Sequence, residues 1–405
     1  MVLEHSIRMP RGAKTQAVRL RDLTAAGLLS VIAAGAFAQE SEFKIGAVGT
    51  FSGPFGVLGE SLRKGAELAA ELHGNEVLGV PIVFEWEDDE TKPQIAVQMA
   101  TRLMSGGAQM LLAPVSSGST LAIMKVVERA KTPLLVTLSV SDDIIGKDGN
   151  PYTFRTSNSL DMDMRMLAEA ASADGIKKMY LTSMDYSAGH DAMQILRSYL
   201  EQLGIEVVAE DYYAIGTKDY SILVNKILQS DADAVLVGFA GNDGINFLKQ
   251  GDEVDLAGKK ILMGNLVMDE LIGAAVGPAS VGVGSTMRYH FTIENEANKA
   301  FVAAYLAKYD EYPTQYAGEA FDGVSWFLDV VDSTKSWDKA DWLEAFENSE
   351  RDSSIEGVKK MRACDHQAEQ RGFMGKGIAG SGDLPAITME ITQSFEAAQL
   401  FRPCP

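Results

Sequence analysis

Short apolar runs alternate with amphipathic segments along most of the chain. The runs at residues 43–48 and 80–86 are typical of buried strands. Apolar residues at helical spacing follow the first run, as at Leu62 and Ala66. The same rhythm begins again beyond residue 158. Because strict alternation of strands and helices is typical of parallel sheets, we predict an α/β chain with two doubly wound parallel sheets.

A polar turn at residues 114–120 follows the third apolar run and precedes another helical pattern. It places the hydroxyls of Ser116 and Ser117 where the carboxyl end of a strand meets the amino terminus of a helix. The free N–H groups and the dipole at a helix amino terminus favour negative charge. Ligands of open α/β sheets also sit outside the carboxyl ends of strands. The turn therefore predicts half of a small-molecule site that binds a carboxylate; the alternative is an ordinary N-cap, because Ser and Thr commonly begin helices.

Length and charge narrow the class of protein. A chain of 405 residues exceeds one ordinary hydrophobic core, so we predict two domains. The formal net charge of −20 argues against nucleic acid and anionic lipid surfaces as partners.

Residues 1–38 have the pattern of a targeting segment. Five basic side chains precede an apolar stretch at residues 23–36, which is too short to span a membrane. The small-residue sequence Ala36-Phe37-Ala38 follows it. We predict a secretory signal peptide that is cleaved after Ala38, and therefore a periplasmic location.

The use of cysteine agrees with export. The chain has two cysteines, Cys364 and Cys404. In an oxidising compartment such a pair predicts a disulfide, here one that ties down the carboxyl-terminal tail. A metal site that includes His366 is the alternative, but one Cys and one His are a weak signal, so we expect no metal.

Several short motifs occur in a characteristic order along the chain. They are Lys44-Ile45-Gly46 leading to Ser52-Gly53-Pro54, Gly65-Ala66-Glu67-Leu68-Ala69, Asp88-Asp89-Glu90, the turn at 116–120, Arg155-Thr156, Asp185-Tyr186 and Phe321-Asp322-Gly323-Val324. In this order, and behind a signal peptide, the chain resembles periplasmic solute-binding proteins of the branched-chain amino-acid type, the leucine-binding-protein-like components of ABC importers. The resemblance covers essentially the whole chain after residue 38.

The resemblance implies a type I periplasmic binding protein, with two α/β lobes joined by a three-segment hinge and a ligand in the cleft. Closure around the ligand would then be a hinge motion. The implied lobe 1 is residues 39–157 with 289–362, lobe 2 is residues 158–288 with 363–405, and the crossings lie near residues 155–158, 286–290 and 361–366.

The resemblance also implies a site in the first lobe. The carboxylate-binding position of the family falls on Ser117, with Ser116 beside it in the turn. A companion loop falls on Ser139, Val140 and Ser141. These residues would supply hydroxyl and backbone N–H donors.

In the second lobe, Tyr186 matches the aromatic residue that closes over the ligand. Phe239 lies where another aromatic residue of the cleft is expected. Ordinary packing is the alternative for both side chains. Arg155 could reach a ligand carboxylate from the hinge, with a structural ion pair as the alternative.

One position departs from the amino-acid binders. Where they place an acidic residue for the ligand ammonium, this chain has Leu266, although a shift of register would bring Asp269 or Glu270 there. An ammonium without a partner in a desolvated cleft is costly. Leu266 therefore favours ligands with a carboxylate and an apolar or aromatic body.

No motif of an enzyme is present among those we sought, which include G-x-S-x-G, H-E-x-x-H and the Walker A sequence. We therefore predict a monomeric binding protein without a cofactor, which carries an amino acid or an organic acid to an ABC permease of the inner membrane. A ligand-sensing receptor or an exported hydrolase or lyase on the same scaffold is the alternative.

Overall fold

The computed structural model describes residues 40–146, 148–401 and 404. The predicted signal peptide and its cleavage after Ala38 lie outside these residues and stay predictions. Of the helices in the described ranges, none has the length and the apolar character that crossing a bilayer requires.

The first large sheet comes from the amino-terminal third of the chain. Its strands are β1 (Phe43–Gly49), β2 (Glu76–Val77), β3 (Val80–Asp88), β4 (Met110–Leu112), β5 (Leu134–Val136) and β6 (Thr153–Arg155). The helices between them are α1 (Gly56–Leu72), α2 (Pro93–Ser105) and α3 (Ser117–Ala130). The strand order is β2-β3-β1-β4-β5-β6, and every pair is parallel except β2 with β3. Strand β6 is the edge strand of this sheet, and the chain crosses towards the second sheet directly after it.

The alternation then starts again and begins a second sheet. Its first strands are β7 (Lys178–Met184), β8 (Glu206–Tyr213), β9 (Ala234–Gly238), β10 (Ile261–Gly264) and β11 (Gly284–Met287). The helices of this part are α4 (Leu160–Ala173), α5 (Ser187–Gln202), α6 (Ser221–Gln229), α7 (Gly241–Asp252), α8 (Leu256–Lys259) and α9 (Glu270–Val276).

The chain next returns to the first sheet with three helices and a small sheet. These elements are α10 (Glu296–Tyr309), α11 (Gln315–Thr334), α12 (Lys339–Glu347), β12 (Glu350–Arg351), β13 (Lys359–Met361) and β14 (Ala368–Glu369). Helix α11 packs against α1 so closely that a Cβ on Gly65 would lie 2.1 Å from the carbonyl oxygen of Ala317. Just before β13, Gly357 turns the backbone with a φ of 114°.

A final hairpin completes the second sheet. It consists of β15 (Gly372–Ala379) and β16 (Ile387–Phe395), and a short helix α13 (Ala397–Leu400) follows. The order of this sheet is β16-β15-β11-β10-β9-β7-β8. The pairs from β8 to β11 are parallel, and the hairpin adds an antiparallel edge next to β11. The first sheet falls within the predicted lobe 1 and the second within the predicted lobe 2, whose exact boundaries we retain as a proposal.

A buried charged cluster ties α11 to the first crossing. The Lys359 ammonium lies 3.0 Å from Asp322 Oδ2 and 2.8 Å from Glu356 Oε2. It also donates a hydrogen bond of 3.1 Å to the carbonyl oxygen of Thr156. Asp322 belongs to one of the motifs noted in the sequence, and this pairing gives it a structural role.

Cys364 and Cys404 are joined by a disulfide between positions 40 residues apart, as predicted. The ring nitrogens of His366 both have protein partners: one lies 3.0 Å from Glu347 Oε1 and the other 3.2 Å from the carbonyl oxygen of Thr153. The disulfide encloses the final hairpin and fastens the tail beside the third crossing.

Candidate ligand-binding site

A cavity of about 90 Å³ lies between the two large sheets. Its walls include residues from loops at the carboxyl ends of parallel strands in both sheets. In each sheet the strand order changes direction beside the first strand, between β1 and β4 and between β7 and β9. Such switch points are where open α/β sheets bind their ligands. The fold therefore directs two such crevices towards one cavity.

Ser117 lines the cavity at the first residue of α3. Its hydroxyl oxygen accepts hydrogen bonds from the backbone N–H groups of Val140, at 3.1 Å, and Ser141, at 3.2 Å. These two bonds use both acceptor positions of a hydroxyl oxygen. The Ser117 hydroxyl is thus left to act as a donor, which suits a carboxylate.

Two buried arginines hold the loop that bonds to Ser117. Arg155 Nη1 donates to the carbonyl oxygens of Val140, at 3.1 Å, and Ser141, at 2.6 Å. Arg288 Nη1 donates to the carbonyl oxygen of Leu138 at 3.2 Å. Burial lowers the pKa of Arg155 to about 10, so its guanidinium remains charged at neutral pH. The two side chains orient the loop, and Arg288 is itself paired with the buried Asp163, whose Oδ2 lies 2.8 Å from its Nη2.

Sequence reasoning missed this role. Arg155 was considered as a ligand contact or one half of an ion pair. Its Nη2 does form an ion pair of 3.9 Å with Asp142 Oδ1, but its shorter bonds, both 2.6 Å, go to the carbonyl oxygen of Ser141 and to Gln367 Oε1. Arg288 was not singled out at all. Backbone carbonyls leave no signal in a sequence, so these partnerships become visible only in three dimensions.

The other predicted hydroxyls are used inside the fold. Ser116 caps α3 by accepting from the N–H of Ser119 at 3.4 Å, so the capping alternative holds for this residue. Ser139 is buried and donates to the carbonyl oxygen of Pro114 at 2.7 Å. Ser141 accepts from the N–H of Asp143 at 3.4 Å. None of the three predicted serines is among the residues that line the cavity, whereas Ser117 and Val140 are; ligand contact by any of them stays a prediction.

Two further helices begin at the cavity without a side-chain cap. The N-cap of α5 is Tyr186 and that of α7 is Ala240, and both residues line the cavity. Neither side chain bonds to the first turn of its helix. Their leading N–H groups and dipoles add to those of α3 and favour an anionic or acceptor group there.

The second lobe supplies an aromatic and apolar wall. Tyr186 is half-buried, and burial raises the pKa of its hydroxyl to about 12, so the ring stays neutral. Phe239 lines the cavity and also packs against Tyr220, with ring centroids 4.8 Å apart. The packing interpretation therefore holds for Phe239, and its contact with a ligand stays a prediction. Tyr316 at the start of α11 also lines the cavity and was missed, since its helical position alone indicates core.

Leu266 lines the cavity at the position where amino-acid binders were expected to carry an acid. The two neighbouring acids are engaged elsewhere. Asp269 caps α9 by accepting from the N–H of Ile272 at 2.9 Å, and burial raises its pKa to about 7. Glu270 lies 2.9 Å from His290 Nε2 and accepts from Thr388 at 3.0 Å. Among the described residues that line the cavity, no side chain is Asp, Glu, Lys, Arg or His.

The two lobes touch beside the cavity, next to the lining residues Phe55 and Ala240. Gly241, the first residue of α7, lies against the turn after β1, where an added Cβ would be 2.7 Å from the carbonyl oxygen of Pro54. Gly241 also has a φ of 56°, which glycine adopts without strain.

Comparison with known proteins agrees with this architecture. The sequence profile described as periplasmic binding protein matches residues 42–381. A Leu/Ile/Val-binding protein homolog from Brucella melitensis is 26% identical over 286 residues, which cover 69% of this chain and 72% of that protein.

Two solved structures are similar over most of their length. A solute-binding protein of an ABC transporter from Rhodopseudomonas palustris BisB5, in complex with 3,4-dihydroxy benzoic acid, has a TM-score of 0.82 and 24% identity, and the match covers 90% of this chain and 99% of that chain. Another solute-binding protein from R. palustris, in complex with benzoate, has a TM-score of 0.81 and 25% identity, with coverages of 87% and 96%. The fold is thus that of the type I periplasmic binding proteins, and the profile match over most of its length shows that this chain belongs to the periplasmic binding protein family.

Proposed function

We propose that this protein is the extracytoplasmic solute-binding component of an ABC importer, and that its solute is a small carboxylate with an uncharged, apolar or aromatic body. The proposal includes export by the signal peptide at residues 1–38, action as a monomer in the periplasm, and delivery of the solute to an inner-membrane permease. Family membership and the shape of the cavity support the binding role.

The carboxylate would bind at the end of the cavity formed by Ser117 and the amino terminus of α3. There the Ser117 hydroxyl is available as a donor, and Arg155 and Arg288 lie behind the adjoining loop. The Ser117 hydroxyl and the first N–H groups of α3 are neutral donors, and such donors can bind a carboxylate without an ion pair, as helix amino termini do in other proteins.

The observation that carries the choice of solute is Leu266 in the cavity wall. A zwitterionic amino acid would bring an ammonium into a cavity whose described lining has no carboxylate. Burying a charge without a partner is strongly unfavourable. An aromatic or keto acid avoids this penalty, and the rings of Tyr186 and Phe239 offer flat apolar surface to its body.

A branched-chain amino acid is the second candidate. The name of the Brucella relative favours it. In this cavity its ammonium would have to rely on neutral acceptors such as backbone carbonyls.

The same lining bears on catalysis. General acid–base chemistry needs a titratable side chain beside the substrate. The phenols of Tyr186 and Tyr316 are the lining groups that could titrate, and burial raises the pKa of both. We therefore propose binding without turnover.

A titration on protein freed of bound solute tests the proposal. The purified mature chain is unfolded, dialysed and refolded, and then titrated calorimetrically with benzoate, a short keto acid, leucine and urea. We expect the aromatic or keto acid to bind and to be recovered unchanged. Tight binding of leucine alone would favour the second candidate, and recovery of a chemically altered solute would indicate an enzyme. Loss of uptake of the bound solute in a deletion strain separates an importer component from a sensor.

A further inference from the structure

The loop after β10 lines the cavity from the second sheet, whereas Ser117 lines it from the first. Two bonds pin this loop at Leu266, which has a φ of 51°. Its N–H donates to Thr286 Oγ1 at 3.0 Å, and its carbonyl oxygen accepts from the Tyr316 hydroxyl at 3.2 Å. A leucine in this left-handed conformation is unfavourable by itself, so the two bonds keep the loop in one shape.

The direction of these hydrogen bonds fixes the orientation of a neighbouring amide. Since Thr286 Oγ1 accepts the N–H of Leu266, its own proton needs an acceptor. Asn265 Oδ1, at 2.7 Å, is the acceptor that the described residues provide. The amide oxygen of Asn265 is therefore engaged, and its NH₂ group is the part left for other partners.

Asn265 lines the cavity and is half-buried. Its NH₂ group has no hydrogen-bond partner among the described residues. Nearby polar side chains also line the cavity: the Tyr316 hydroxyl is engaged by the carbonyl oxygen of Leu266, and Ser183 directs its hydroxyl to the carbonyl oxygen of Gly238 at 3.5 Å, which is a long contact. Asn265 thus offers a donor in a fixed orientation, in a wall that is otherwise largely apolar.

We propose that Asn265, oriented by Thr286, is a specificity-determining residue that selects solutes with a neutral hydrogen-bond acceptor at the end remote from the carboxylate. A phenolic hydroxyl or a carbonyl oxygen meets this requirement. An ammonium would place donor against donor, and a plain hydrocarbon end would leave the amide protons unpaired. The inference rests on the proposed function, because it takes the carboxylate to lie at the Ser117 end.

The test compares matched acids on matched variants. The probes are benzoate, meta- and para-hydroxybenzoate, and para-(aminomethyl)benzoate, titrated calorimetrically into refolded protein. On the unmodified chain, at least one hydroxybenzoate should bind about tenfold tighter than benzoate or better. Asn265→Leu, which keeps the size and removes the donor, should reduce that ratio to about threefold or less.

Two further variants guard against effects of misfolding. Asn265→Asp is nearly isosteric and replaces the donor by an anion, so it should favour the aminomethyl compound over the hydroxybenzoates. Thr286→Val removes the hydroxyl that orients the amide and should reduce the preference for the hydroxybenzoate in the same direction as Asn265→Leu. Asn225→Leu, at an exposed position on α6, is the control and should leave all four affinities unchanged.

The outcomes separate the two proposals. If neither these acids nor any other carboxylate binds, the proposed function fails and the role of Asn265 with it. If benzoate binds as tightly as both hydroxybenzoates, and Asn265→Leu changes none of the affinities, the role of Asn265 is overturned while the proposed function stands. A preference for a hydroxybenzoate that disappears in both Asn265→Leu and Thr286→Val supports the assignment.

Discussion

The hydroxyl oxygen of Ser117 and the backbone N–H of Val140 are joined by a hydrogen bond of 3.1 Å that links the loops after β4 and β5. The Ser141 N–H shares the same oxygen at 3.2 Å. One side chain therefore both organises the companion loop and keeps its own proton available for a ligand.

Ser117→Ala should weaken binding of the carboxylate solute by about 1–3 kcal/mol, because it removes a donor to a buried charge and leaves two N–H groups without their acceptor. Isothermal titration measures the change. Ser187→Ala, at an exposed position in the first turn of α5, is the control and should bind normally. Unchanged affinity in Ser117→Ala, with the control also normal, would remove Ser117 from the site.

Leu266→Asp should change the preferred solute from an acid without an ammonium group to an amino acid. The new carboxylate can pair with an ammonium, and Asp tolerates the left-handed conformation of residue 266 better than leucine does. Leucine should then raise the melting temperature of the variant, while stabilisation by benzoate is lost. Leu266→Asn has the shape of the Leu266→Asp variant without its charge, so it separates the effect of the charge from that of the altered side-chain shape. If both variants respond to leucine alike, the charge at this position does not decide specificity.

Asp269→Asn should stabilise the protein more at pH 8 than at pH 5. Burial, reinforced by the adjacent Glu270, raises the pKa of folded Asp269 to about 7, whereas an unfolded aspartate titrates near 3.9. As the pH rises from roughly 4 to 7, the unfolded chain releases a proton that the folded chain keeps, so Asp269 lowers stability across that window. Asparagine retains an oxygen for the N–H of Ile272 and cannot ionise.

Thermal unfolding followed by circular dichroism at pH 4, 6 and 8 tests this prediction. The difference in melting temperature between Asp269→Asn and the unmodified chain should grow with pH. Asp338→Asn, at an exposed cap of α12, is the control and should show a similar small difference at each pH. A difference for Asp269→Asn that is constant over this range would contradict the buried, protonated carboxyl.

Reduction of the disulfide, or replacement of both Cys364 and Cys404 by Ser, should lower the free energy of unfolding by roughly 2–4 kcal/mol. The bond joins positions 40 residues apart, and opening that loop gives the unfolded chain more conformational freedom. Urea titrations with and without a reducing agent measure the loss. The double Ser variant should be insensitive to the reducing agent, and an unmodified chain that is equally insensitive would argue against the bridge.

The alternation of apolar runs was enough to predict both parallel sheets, because buried strands and amphipathic helices have distinct periodicities. It did not reveal β15, whose sequence contains Gly372, Gly375 and Gly377 and so lacks the usual composition of a strand. That strand forms because it pairs with β11 along one edge and with β16 along the other.

The site was predicted in part for the same physical reason. The turn at Ser117 was predicted because ligands of open α/β sheets bind outside the carboxyl ends of strands, whereas Val140, Tyr186 and Phe239 were implied by the resemblance to the binding-protein family. All four line the cavity. The bond of Arg288 to the carbonyl oxygen of Leu138 spans 150 positions and ends on the backbone. No pattern in a single sequence marks such a contact.

The place of the last hairpin has a consequence for biogenesis. Strand β11 pairs with β10 on one side and with β15 on the other, so a nascent or prematurely terminated chain that stops short of residue 372 presents β11 as a bare edge. The first large sheet, β1 to β6, can thus be completed early in synthesis, whereas the second large sheet is complete only when the final hairpin has been synthesised. Truncation there would yield a self-associating fragment rather than a smaller binding protein.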